Sequence, residues 1–157
     1  MRIKFLVISL FSIILTSSCA SVEKEYYTSS GKPEVTIEQN MATVKNHIMQ
    51  SAQLKGWSIL SDNNYQTHLV RPCGNGAQCI VGQALIGNSY STSPDYHLIY
   101  QWISLDEKTT KVVVTDVYLS TQMAFGQTNK ASLLSGNKSF NDVMNNLLRF
   151  KSELDNF

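Results

Sequence analysis

A chain of 157 residues that is 43% hydrophobic, 10% aromatic and 16% charged has the composition of one folded domain with a filled interior, which excludes general disorder and speaks against a multidomain plan. Thirteen Lys and Arg stand against twelve Asp and Glu, scattered rather than gathered into a stripe, so electrostatics offers no reason to bind nucleic acid.

The chain opens with Arg2 and Lys4, then an apolar run from Phe5 to Leu15 broken only by Ser9 and Ser12, then Thr16, Ser17 and Ser18 ahead of Cys19. That layout is a secretory signal, and the run is too short for a membrane span, which needs roughly twenty residues. Leu15-Thr16-Ser17-Ser18-Cys19 resembles the lipobox of bacterial lipoproteins, although the family's usual leucine stands three places before the cysteine, where this chain has Thr16. The resemblance implies removal of residues 1–18 and acylation of Cys19, with about 0.8 kcal/mol of anchoring per buried methylene. It also implies, because Ala20 rather than Asp follows the cysteine, an outer-membrane anchor with the domain facing the periplasm in a Gram-negative host. In another host the anchor would sit at the outer face of the cell membrane. Cleavage would take Arg2 and Lys4 away and leave eleven basic against twelve acidic residues. The resemblance stops near residue 20.

Residues 19–35 lack a sustained apolar period and read as the acylated cysteine and a flexible tether; an arm that packs Tyr26 and Tyr27 onto the domain is the alternative. A single domain is expected over 36–157. Thr36, with Gln39 as capping-box partner, opens a predicted helix to Lys55 whose Ile37, Met41, Val44, Ile48 and Ala52 share a face, and Gly56 suits a left-handed cap. Trp57 to Leu60 and Tyr65 to Leu69 flank the Asp62-Asn63-Asn64 turn as a hairpin, and a third extended piece is expected at Ile80 to Ile86. Strands follow at His97 to Leu105 and Lys111 to Thr121. On strict alternation Val112, Val114 and Tyr118 face one side of the second strand, and Val113, Val117 and Leu119 the other. Residues 122–138 fit a short helix or a loop. Ser139, with Asp142, opens a last helix that carries Val143, Leu147, Phe150 and Leu154 on one face. The element order predicts an α+β fold: an antiparallel sheet of four or five strands, with an N-terminal and a C-terminal helix packed on one face, the outline of helix-grip domains.

Little in the chain points to chemistry. Cys73 and Cys79 flank Gly-Asn-Gly-Ala-Gln in an exported chain and are expected to form a disulfide worth about 2 kcal/mol, without the Cys-x-x-Cys of a redox centre. His68, Cys73, Cys79 and His97 lack zinc-ligand spacing, and His47 reads as a solvated residue of the first helix. No Gly-x-Ser-x-Gly elbow, phosphate loop or His-Glu-x-x-His occurs, and Asp95, Asp106, Glu107 and Asp116 form no assignable acid pair. No enzyme, metal or cofactor is therefore expected, although a cluster of Asp95, His97 and Asp116 would revive the enzyme reading. The expected function is a non-enzymatic envelope lipoprotein, held to the membrane by lipid, that docks as an accessory subunit onto a secretion, transport or outer-membrane assembly complex. The alternative is a small-molecule or glycan binder with a helix–sheet groove near Tyr96, Tyr100 and Trp102, two of which, Tyr100 and Trp102, also suit simple core packing.

Overall fold

Alternating apolar and polar residues through the second half of the chain build one long hairpin, and the rest of the sheet grows on its two edges. The computed structural model describes residues 25–74 and 76–156. In chain order the elements are β1 (Glu34–Ile37), α1 (Met41–Leu54), β2 (Ser58–Asp62), β3 (Gln66–Pro72), α2 (Ala77–Ile86), β4 (Asp95–Ser104), β5 (Thr110–Gln122), β6 (Thr128–Ser132) and α3 (Asn137–Asp155). The strands form one antiparallel sheet ordered β1-β5-β4-β3-β2, with β6 also paired to β5. The fold is α+β, with the first and last helices packed on one face as the element order predicts.

Six strands replace the expected four or five, and the two additions have one cause. β4 covers one edge of β5 from Thr110 to Ser120, which leaves a row of backbone donors and acceptors along the other edge. β1 takes one end of that edge, from Thr110 to Val113, and β6 takes the other, from Tyr118 to Gln122. Capture of residues 34–37 by β5 moves the predicted start of the first helix. Asn40, not Thr36, is the N-cap, with its side chain accepting from the Thr43 amide at 2.9 Å. The helix ends as expected, on Gly56 at φ +79. Residues 128–132, left open as helix or loop, are strand β6. The last helix begins at Asn137, two residues before Ser139.

Residues 80–86 are not a strand but most of helix α2. An apolar run of this length fits a buried strand or a helix equally well, and packing makes the choice. A Cβ on Gly82 would come within 2.6 Å of Leu119 Cδ1, so the glycine lets the helix lie directly on β5. The Cys73–Cys79 disulfide, Cα to Cα 5.6 Å, staples the first turn of α2 to the end of β3.

The tether boundary also shifts. Pro33 and Val35 are buried, Tyr26 packs against the core, and its hydroxyl donates to Asn145 Oδ1 of α3 at 2.6 Å; Tyr27 is exposed. The domain therefore begins before residue 36. Cys19 lies outside the described residues.

The core lies between the helices and one sheet face. Trp102, 1% exposed, is its largest fully buried side chain, and its indole N–H donates to Thr67 Oγ1 at 2.9 Å. Thr67 in turn donates to Asp62, which Lys45 holds at 2.7 Å, so the buried polar atoms are satisfied in a chain that ends at the surface.

A β-bulge decides what each sheet face carries. Ile99 lies opposite Asp116 while Tyr100 lies opposite Val114, so Thr115 is the extra residue in β5. One inserted residue reverses the alternation. Val112 and Val114 therefore share the helix-covered face with Val117 and Leu119, and Tyr118 joins Val113 on the opposite face, correcting the strict alternation expected from sequence.

Candidate functional site

Between α1, α3 and the covered face of the sheet lies a half-open groove of about 360 Å³, within the size range of small-molecule sites. Leu98 and Tyr100 of β4, Val117 of β5 and Val143 and Phe150 of α3 give it apolar walls. Its rim is cationic. Arg71, on β3 and facing the same way as Leu69, places its guanidinium 4.8 Å from the centre of the Trp57 ring and 5.7 Å from that of Tyr96. Lys55, which caps α1, stands 5.9 Å from the centre of the Phe150 ring, and the Arg149 guanidinium 5.1 Å from it. Burial first and the Arg149 charge second push the Lys55 ammonium below its ordinary pKa. Among the described residues no Asp or Glu lines the groove. Tyr100 is buried, its phenol pushed well upward by that burial, and its hydroxyl has no hydrogen-bond partner among the described residues.

The opposite face carries a second polar grouping. His68 Nε2 and His97 Nδ1 are 2.9 Å apart, His97 Nε2 is 2.7 Å from Ser120 Oγ, and Tyr118 OH is 3.3 Å from His68 Nε2. The Tyr118 ring stacks on His97 at 4.5 Å, and Lys130 sits 5.0 Å over Tyr118. Burial lowers both imidazole pKa values, helped by Lys130 at His68 and by the His68 charge at His97, which keeps the pair neutral at neutral pH. With Ser120 donating to His97 Nε2, the Nδ1 proton of His97 is directed to His68, an alignment that polarises the serine hydroxyl. Acyl transfer also needs fixed donors for the developing oxyanion. Ser120, however, lies in mid-strand between Asp95 and Lys130 on paired strands rather than on a strained turn. Asp95, His97 and Asp116 do share this face, but the contacts of His97 are to His68, Tyr118 and Ser120.

The residues singled out from sequence are thus divided. Tyr96 and Tyr100 line the groove; Trp102 stacks on Tyr100 with centroids 5.4 Å apart and belongs to the core. Cys73 and Cys79 are bonded to each other, which removes both thiols from the paper zinc set, and among the described residues no group of three or more His, Cys, Asp or Glu could hold a metal ion. His47 is half-buried, paired with Glu153 at 2.8 Å and edge-on to Phe150, rather than simply solvated. Sequence reasoning missed Arg71, Trp57, Lys55 and Phe150 as groove residues, since they come from three separate stretches of the chain: the end of α1 with the turn after it, β3, and α3. It also missed the His68–His97–Ser120 row, for which period-two alternation in β3 and β4 was the available signal. Comparison with known protein families, with curated proteins and with solved structures finds no match.

Proposed function

We propose that this chain is a non-enzymatic binding protein of the cell envelope, lipid-anchored through Cys19, whose groove between α1, α3 and the sheet holds a small molecule with an apolar body. The observation that carries this reading is an open, apolar-walled groove inside an otherwise packed core, lined by Tyr100, whose hydroxyl has no hydrogen-bond partner among the described residues. The neutral dye N-phenylnaphthylamine tests it by fluorescence titration of the purified domain. One saturable site, lost when Val143→Trp fills the groove, is expected. Absence of saturable binding, or binding that Val143→Trp leaves unchanged, would sink the reading.

A docking role, the second reading, is supported at the other end of the covered face. Helix α2 leaves Ile80, Val81 and Leu85 exposed, and Phe125, held at φ +69 in a single turn at Ala124–Gly126, projects fully into solvent. Asn129 Nδ2 donates to Ile86 O at 2.9 Å, tying that turn's neighbouring strand to α2, so these apolar residues belong to one end of the molecule. Site-specific photocrosslinking from position 85 in intact envelopes should capture a protein partner. Failure to capture any would leave docking without support.

A further inference from the structure

Resting on the groove reading above, we infer that the ligand is an anionic amphiphile, with its apolar body along Leu98, Val117 and Phe150 and its carboxylate or phosphate head between Arg71 and Lys55. Three observations lead to the charge. First, among the described residues the lining holds two cations, Lys55 and Arg71, and no acid, so its charge has one sign in a chain whose overall charge is nearly balanced. Second, Arg71 is fixed without an anion. Its guanidinium is steadied by the Trp57 and Tyr96 rings, and its one hydrogen bond to another described residue goes to Lys55 O at 3.4 Å. A guanidinium has five N–H donors in a planar fork, so most of its capacity meets no acceptor among the described residues. Third, Glu153, the carboxylate whose charge acts on Lys55, is already engaged. It pairs with His47 at 2.8 Å and with Arg149 at 3.4 Å.

A lysine at the end of α1 can be explained by the helix dipole alone. Arg71 cannot, because it sits on a strand beside two aromatic rings. An arginine set beside two rings, with no carboxylate paired to it among the described residues, is arranged to receive a bidentate anion from outside the chain. The Tyr100 hydroxyl, deeper in, supplies a polar atom that a carbonyl or ester oxygen just below such a head could accept from. The apolar walls then take the remainder of the molecule.

The test uses Trp57 fluorescence and calorimetry on the intact domain with four probes that share one tail and differ in the head: decanoate, decyl phosphate, decanol and decyltrimethylammonium. Inorganic phosphate alone is the fifth. Decanoate and decyl phosphate, whose comparison separates carboxylate from phosphate heads, should bind at least about tenfold more tightly than decanol. The ammonium probe and inorganic phosphate should bind more weakly still. Arg71→Gln, and separately Lys55→Gln, should bring decanoate down to the affinity of decanol while N-phenylnaphthylamine still binds, which shows that the variants are folded and the groove intact. Decanol binding as tightly as decanoate would overturn the anionic head and leave the groove reading standing. Inorganic phosphate binding as tightly as decyl phosphate would overturn the amphiphile. If neither decanol nor decanoate binds, the groove reading fails with it.

Discussion

The two faces of the sheet are made from alternate residues of the same strands, yet they hold different chemistry. On the covered face Leu69, Leu98, Tyr100, Trp102, Val112 and Val114 meet α1 and α3, and the polar groups that remain there are either satisfied in pairs, as Trp102 and Thr67 are, or gathered at the lip of the groove. On the opposite face His68, His97, Tyr118 and Ser120 contact one another, and Glu34 lies at the β1 edge against Lys111 at 3.0 Å. The covered face stabilises by burial; the other carries titratable groups whose protonation is tied to the folded state. The contrast predicts that truncation hurts most on the first face and that pH acts mainly through the second.

The largest effect is expected from Trp102→Ala, which removes the biggest buried side chain and takes from the Thr67 oxygen its indole donor. Unfolding in urea should show a loss of about 3–5 kcal/mol. A loss near that of a surface substitution would mean that the covered face is not where stability is concentrated.

Glu34 comes next. Burial alone would raise its pKa, but the Ser30 and Ser29 hydroxyls and Lys111 outweigh it and hold the carboxyl at about 2. A carboxyl depressed in the folded state adds stability above its unfolded value of 4.5, and that contribution disappears as the pH falls from there towards 2. Glu34→Gln should therefore cost about 2 kcal/mol at neutral pH and flatten the acid limb of the stability profile. An unchanged acid limb would remove Glu34 from the account.

The smallest effect belongs to the histidine pair. Both imidazoles have lowered pKa values, so the unfolded chain takes up protons before the folded chain does. Stability is then complete above the ordinary histidine value of 6.5 and is lost as the pH falls below it. His97→Phe keeps a ring against Tyr118 and removes one of the two titrations. It should cost about 1 kcal/mol at neutral pH for the lost Ser120 and His68 contacts and reduce the loss of stability just below pH 6.5. A variant with the same pH profile as the parent would show that the pair does not titrate with unfolding.

Much of the site was unreadable from sequence for one geometric reason. Tyr96 and Tyr100 stood out as alternating aromatics of a strand, but the groove they line is completed by Lys55, Arg71 and Phe150, whose proximity depends on how α1, β3 and α3 cross the sheet. Tyr118 was placed with Val112 and Val114 because strict alternation is the default. The bulge at Thr115 leaves no mark in composition or period, and it alone brings Tyr118 to His97.

By itself the sequence determined the elements whose pattern has only one solution: the amphipathic helices that became α1 and α3, the β4–β5 hairpin, and the pairing of Cys73 with Cys79. Tertiary structure decided everything with two local solutions. Residues 34–37 and 128–132 became strands because β5 had an unpaired edge, and residues 80–86 became helix because Gly82 fits against Leu119 and the disulfide holds the first turn. Short apolar stretches satisfy helix and strand alike, so the partner surface rather than the stretch itself makes the choice.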